Sequence, residues 1–237
     1  MSLLNNILIG SVPATGFERY VDIAQSSFWP LVKGALTYTI PMTLIAFVIG
    51  LILAVTTALF RLSGNKLLSG IARVYISIIR GTPLLVQLFI IFFGFGSIGW
   101  KIDPFPAAVI GFSLNTGAYA SEIIRASIQS IPKGQWEASS SIGMTYGQAL
   151  KRVILPQAAR VSIPPLSNSF ISLVKDTSLA STILVTEMFR KSQEIVANTY
   201  EPLLLYTEAA FIYWVICFVL SLGQDQVENR LNRYVKT

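Results

Sequence analysis

The chain contains no histidine and a single cysteine, Cys217. Ser-His-Asp hydrolysis, histidine acid–base chemistry and histidine-ligated metal sites are therefore excluded within it. So are an internal disulfide and a thiolate metal cluster, and Cys217, set in an apolar stretch, reads as a packing residue. What remains able to handle a ligand is a handful of polar groups inside apolar segments, where ionisable residues are functional-site hypotheses by default. Glu122 and Arg125 are three apart and can share a helical face, either as a mutual salt bridge or as a solute contact. Asn115 and Thr116 precede them, and Ser167, Asn168 and Ser169 lie in a later apolar block. Such groups serve as interhelical hydrogen-bond partners or as a polar passage for a zwitterion. Lys175 and Asp176 can form an internal ion pair, a gate element, or both. Glu208, near the start of the last apolar block, ranks below Glu122 because it can reach the surface. No G-x-x-x-x-G-K-[ST] phosphate loop occurs.

These groups must be positioned by segments built for lipid. Charged residues make up 13% of the chain, about half the share typical of soluble domains. Residues 34–60 carry no charge across 27 positions, and roughly 20 apolar residues cross a bilayer. Further blocks run over 81–100, extended backwards by a helical stretch 67–79, then 104–121, continuing through Glu122 and Arg125, and 203–223. The block 161–174 is only 14 residues long. It must continue through 177–183 or be shielded by protein. An all-α integral membrane protein with about five transmembrane helices is expected. Residues 1–30 read as an irregular or amphipathic lead-in without a cleavable signal peptide, since Glu18, Arg19 and Asp22 interrupt them. Arg80-Gly81-Thr82-Pro83 should bend the second helix, and Gly50, Gly94 and Gly96 read as close-packing sites. No internal repeat or linker divides the chain.

The net charge of +6 reflects basic residues between apolar blocks, better explained by membrane topology than by nucleic acid. With five spans, nine basic residues fall on one face: Arg61, Lys66, Lys133, Lys151, Arg152, Arg160, Arg230, Arg233 and Lys236. The other face mixes Arg19, Lys33, Lys101, Arg190 and Lys191 with acids that include Glu187. The positive-inside rule puts the first group in the cytoplasm, the N-terminus outside and the C-terminus inside.

The longest loop on the basic side, 130–156, reads as two short helices. Gly143 can end the first in a left-handed conformation, and Thr145 with Gln148 forms a capping-box pattern opening the second. Pro156 then precedes the next span. Such a loop suits helix-in-groove docking to a partner or lies on the lipid surface as an amphipathic connector.

The identities within this loop carry a resemblance. Glu137-Ala138-Ser139, three residues, Gly143, nine residues, then Val153-Ile154-Leu155-Pro156 is similar to the EAA loop of ABC-importer permeases, with Ser139 and Val153 replacing alanine and isoleucine. The likeness continues in the runs from Arg80 to Gln87, Ser113 to Tyr119, Leu155 to Ala158, Pro164 to Asn168 and Lys175 to Leu179. Together these look like the polar amino-acid branch, the histidine, glutamine, arginine and cystine permeases, over roughly residues 28–227. The segment from Thr186 to Ile195 looks most like the L-cystine permeases of that branch.

The resemblance implies the type I ABC-importer permease fold in a subunit that does no chemistry and holds no cofactor or metal. ATP would be bound and hydrolysed by two cytoplasmic ABC ATPase subunits docked on the loops, and an extracytoplasmic solute-binding protein would deliver the solute. A second permease copy, a homodimer being favoured over a heterodimer, would complete the pathway in the cell membrane of a prokaryote. Residues 28–227 would form the permease domain, preceded by a lead-in at 1–27 and followed by a cytoplasmic tail at 228–237. Glu137 to Gly143 would be the coupling helix, with Ala138 and Ser139 small so that a partner groove can close over them, and Leu155 and Pro156 marking the exit into the next span. Two other classes compete. A self-sufficient carrier or channel would need a larger chain with repeat symmetry and leaves the docking loop unexplained. A membrane enzyme using a Ser-Lys pair at Lys175 has no supporting motif.

Overall fold

The computed structural model describes residues 16–232. The first part of the expected lead-in, with Arg233 and Lys236 of the basic face, lies outside them. Among the described residues every regular element is helical.

The chain enters as one rod. Helix α1 (Gly16–Gly34) passes through a π-helical turn (Ala35–Thr39) into α2 (Ile40–Leu62), 47 residues without a break. The first span was expected to begin at residue 34, but nothing between Asp22 and Gly34 stops a helix, and Pro30 is carried inside α1. The widened turn ends two residues before Pro41, where the missing N–H would otherwise break an ordinary turn. At 1.5 Å per residue the rod is about 70 Å long, more than twice the ~30 Å hydrocarbon core. Its amphipathic first third instead runs beside and parallel to the last helix, α11 (Pro202–Asn232). Arg19 pairs with Glu201 at 3.2 Å, Ser27 donates to Glu208, and Leu31 and Ala35 share a core with Ala209 and Ile212.

Helix α3 (Lys66–Gly81) meets α4 (Leu84–Phe89) at 104°, the bend expected at Pro83. Gln87 staples it. Its Nε2 donates to the carbonyls of Ile79 (2.8 Å) and Thr82 (3.1 Å) and to Thr82 Oγ1 (2.9 Å), groups the break strips of helical partners. A π turn (Ile90–Gly94) and the short α5 (Phe95–Ser97) complete this arm.

Helix α6 (Pro104–Gln129) is the central post, packed on α2, α3, α4 and α9 (Leu155–Asp176). Its buried positions are mostly small, among them Ala107, Ala108, Gly111, Ser113, Thr116, Gly117 and Ala118, which lets backbones approach closely. A Cβ on Gly50 of α2 would lie 2.8 Å from Thr116 Cβ, and one on Gly117 2.9 Å from Leu53 Cβ. Gly50 is thus the close-packing site expected; Gly94 and Gly96 are not, since neither has a neighbour from another helix within 4 Å. Tyr75 on α3 donates to the Leu114 carbonyl at 2.7 Å, tying the arm to the post.

After α6 come α7 (Lys133–Ser141) and α8 (Tyr146–Ala149), then a second proline-linked π turn (Leu150–Ile154) leading directly into α9. It too ends two residues before a proline, Pro156, so the chain does not break there. Helix α9 gives way to a 3₁₀ segment (Thr177–Ile183), and α10 (Met188–Thr199) precedes α11. Phe112, Met42, Leu88, Leu173 and Ile183 join α2, α4, α6, α9 and the 3₁₀ segment in the main core.

Two helical stretches, Gly16–Leu62 and Pro202–Leu231, are long and apolar enough to cross a membrane, and the bent arm makes a third if it counts as one span. Helices α6 and α9 are less apolar. Several of their polar positions, among them Ser113, Thr116, Ser121 and Ser162, are buried in protein, whereas Asn168, Ser172 and Lys175 are exposed.

Candidate functional site

The bend at Pro83, the central post and the second half of α9 line an open cavity of about 500 Å³. Asn115, Thr116 and Tyr119 line it from α6. Asn168, Ser169, Ser172 and Asp176 face them from α9, with Thr82 and Pro83 at the bend. Five of the residues singled out for a passage, Asn115, Thr116, Asn168, Ser169 and Asp176, are therefore brought together. Their spacing explains it, since 168, 172 and 176 recur every four residues, as do 115 and 119, and each set occupies one helical face. Among the described residues Asp176 has no ion-pair partner within 4 Å. The lining offers amide and hydroxyl groups that can donate and accept, plus one carboxylate suited to an ammonium group. Such groups suit the charges of a zwitterion.

The other three residues go elsewhere. Glu122 is clamped by Arg125, whose Nη2 lies 2.7 Å from Oε2 and whose Nε reaches both oxygens at 3.2 Å, and Arg61 Nε stands 3.7 Å away. It does not line the cavity and forms the mutual salt bridge with Arg125. Ser167 faces a groove between α2 and α11, beside Phe47, Phe170 and Gln224. Lys175 lines a separate cavity of about 550 Å³ with Tyr213, Trp214 and Cys217. Successive helical residues point about 100° apart, so Lys175 and Asp176 leave α9 in different directions and form no ion pair.

Thr82, Tyr119 and Ser172 escaped sequence reasoning. The four-residue spacing from Asn115 to Tyr119 and from Asn168 to Asp176 was the available signal. Arg80 sits 5.1 Å from the Tyr119 ring centroid, placing a cation beside the cavity. Glu187, counted among the outer-face charges, is fully buried. It caps α10 by accepting from the Phe189 and Arg190 N–H groups (2.8 and 2.6 Å) and accepts the Tyr213 hydroxyl proton at 2.9 Å.

The loop between α6 and α9 is built as a rigid elbow. Gly143 has φ of 82°, the left-handed turn its position suggested. Thr145 and Gln148 form the full capping box, and Trp136 stacks on Tyr146 at 5.1 Å. Glu137 and Ala138 are exposed, but Ser139 is 3% exposed, its hydroxyl donating to the Gln135 carbonyl at 2.7 Å. Only Ala138 of the two small residues presents outward, because Ser139 falls on the face that α7 turns toward the molecule. Leu155 packs with Trp136, Ile128 and Ile154 in a small core that also takes Leu62 from the end of α2, while Pro156 is exposed at the start of α9. Gln157 donates to Gln135 Oε1 at 3.2 Å, joining α9 to α7.

Comparison with known proteins places this architecture. The chain is 64% identical over 215 residues to the L-cystine transport system permease protein TcyB of Bacillus subtilis (strain 168), covering 90% of this chain and 92% of that one. It is 38% identical to the arginine transport system permease protein ArtQ of the same organism, over 85% of this chain and 93% of that one. The crystal structure of an amino acid ABC transporter with histidines superposes with a TM-score of 0.85 at 35% identity, covering 89% of this chain and 98% of that one. The MetNI methionine ABC transporter, in an inward-facing conformation, shares the fold at a TM-score of 0.69 and 21% identity. Residues 46–233 match the family model for the binding-protein-dependent transport system inner membrane component. With that match over most of its length, a helical bundle of the type I importer fold and no phosphate loop of its own, the chain belongs to the inner-membrane permease components of binding-protein-dependent ABC transporters.

Proposed function

We propose that this chain is the permease of an ATP-driven importer of L-cystine. The observation that carries the reading is the 64% identity to an L-cystine permease along nine-tenths of the chain. A solute bearing two ammonium and two carboxylate groups suits a cavity whose walls combine amides, hydroxyls and the Asp176 carboxylate. In this reading Asn115, Thr116, Asn168 and Asp176 line the route, joined by Tyr119 and Ser172. Two permease copies form the pathway, a homodimer by preference, and two ATPase subunits in the cytoplasm bind and hydrolyse ATP. A solute-binding protein supplies cystine from outside. The N-terminus is outside and the C-terminus inside.

The elbow 130–156 supplies the coupling. It joins the cytoplasmic ends of α6 and α9, which are the two helices that wall the cavity. An ATPase groove closing on Glu137 and Ala138 would move α7, and the stacked Trp136–Tyr146 pair and the Gly143 turn would carry that movement to both walls together. Ser139 serves the inner packing of that helix, and Leu155 and Pro156 its junction with α9. Uptake of labelled L-cystine into vesicles reconstituted with permease, ATPase and binding protein tests the proposal. Accumulation should require ATP and be competed by excess cystine rather than by arginine. ATP-independent uptake, or stronger competition by arginine, would refute it.

A further inference from the structure

At the loop end of the bundle, beside the core that takes Trp136 of α7 and Ile154 of the π turn before α9, the turn from α2 to α3 forms a basic recess. Its volume is about 510 Å³, and its cations are Arg61, Lys66 and Arg73. No carboxylate lines it. The nearest acid, Glu122, is already clamped bidentately by Arg125, leaving Arg61 at 3.7 Å with its buried Nε making no hydrogen bond. Lys66 and Arg73 make no ion pair among the described residues. Positions 66, 69, 70 and 73 occupy one face of α3, and between the two cations stand only Ser69 and Gly70. Gly64 and Gly70 have no neighbour that an added Cβ would touch, so the floor of the recess is open. The helix end itself contributes little, because Asn65 already accepts the Leu67 and Leu68 N–H groups.

A second feature adjoins it. On the neighbouring face of α3, Leu67, Ile71, Val74 and Ile78 form a stripe at helical spacing, each more than half exposed. Lys66 and Arg73, without an ion pair among the described residues, and Arg61, paired only at 3.7 Å with Glu122, flank the first half of an exposed apolar stripe and match a molecule with a phosphate head and hydrocarbon tails. Basic pockets of this kind attract anionic lipid at membrane surfaces. We propose that the α2–α3 turn binds the phosphate of an anionic phospholipid through Arg61, Lys66 and Arg73, with the acyl chains lying along the α3 stripe.

The site rests on the fold and not on which solute is carried, so its test needs neither ATPase nor binding protein. The full-length permease is titrated with phosphatidylglycerol, phosphatidylcholine or inorganic phosphate, and bound lipid is counted by native mass spectrometry. Phosphatidylglycerol should bind in preference to phosphatidylcholine and survive millimolar phosphate. Each neutralised cation should cost about fivefold in lipid affinity, so K66Q/R73Q should lose more than K66Q or R73Q alone, and K66R/R73K should retain binding. Should the double variant fail to fold, the exposed single change R73Q carries the test. Equal binding of the two lipids, unaltered phosphatidylglycerol binding in R73Q, or displacement of lipid by free phosphate would each overturn the proposal, the last marking a soluble-phosphate site instead.

Discussion

Gln87 reaches back across the α3–α4 bend to hold the carbonyl of Ile79, eight residues earlier, at 2.8 Å. The bend forms one end of the cavity, with Thr82 and Pro83 in its lining. A buried carbonyl left without a partner costs about 1–3 kcal/mol. Gln87→Leu should therefore lower the thermal midpoint of the purified permease, and uptake should fall more than the loss of folded protein explains. An unchanged midpoint would show that the amide is not what fixes the angle.

Asp176 is the carboxylate of the cavity and, among the described residues, has no cation within ion-pairing distance. A hydrogen bond to a charged partner contributes about 1.5–3 kcal/mol, so Asp176→Asn should weaken solute affinity roughly tenfold or more. Membrane abundance should be unaffected. Lys175→Gln, altering the residue that points to the other side of α9, should leave affinity close to its original value, and concentration-dependent uptake curves for the two variants make the comparison.

Glu122 and Arg125 act as a unit. Removing one strands the other's charge in a half-buried site, whereas removing both does not. E122Q and R125Q should each reduce folded protein in the membrane, and the double variant should recover much of it. Arg61 should keep the recovery incomplete for E122Q combined with any partner, since it loses its nearest carboxylate in every case. Additive losses in the double variant would remove the pair from the list of structural contacts.

Gly143 turns the elbow with φ of 82°. A β-branched residue there costs about 2 kcal/mol or more in backbone strain, and nothing surrounds the position to hold it. Gly143→Val should insert normally yet lose ATP-driven uptake, because α7 would no longer be held rigidly against α8. Full uptake by this variant would dissociate the turn from coupling.

Orientation is tested with cysteines at Asp103 and Lys133 in a background lacking Cys217. An impermeant thiol reagent should label the first only from outside and the second only from inside. The reverse result would invert the charge argument.

How much of this was legible beforehand depended on whether a feature is local. The elbow was readable because a capping box and a left-handed glycine are written within a few residues of each other, at Thr145, Gln148 and Gly143. The bend at Pro83 was equally local. The inward face of Ser139 was not, since which side of α7 faces the molecule is decided by Leu62, Ile128 and Ile154 on three other segments. Asn115 and Asn168 could be picked out as polar residues in apolar surroundings, but that rule also selected Glu122, Ser167 and Lys175. Only the packing of α6 on α9 separates residues that share a cavity from residues that share a salt bridge or a groove. Glu187 misled for the same reason, because a carboxylate fully satisfied by two main-chain N–H groups and a tyrosine looks in sequence like any surface acid.

The pairing of α1 with α11 has a temporal meaning. Ser27 and Glu208 are separated by 181 positions, and Arg19 waits for Glu201 just as Leu31 waits for Ala209 and Ile212. Met188 and Ile195 of α10 join the same core, and the Thr199 carbonyl accepts from Arg19 at 3.1 Å. The earliest of the described helices is thus seated by the two latest, α10 and α11. Until both are made, the contacts that seat α1 lack their counterparts, so a nascent chain halted after α9 leaves α1 unseated. This side of the bundle therefore closes only after both late helices have been synthesised.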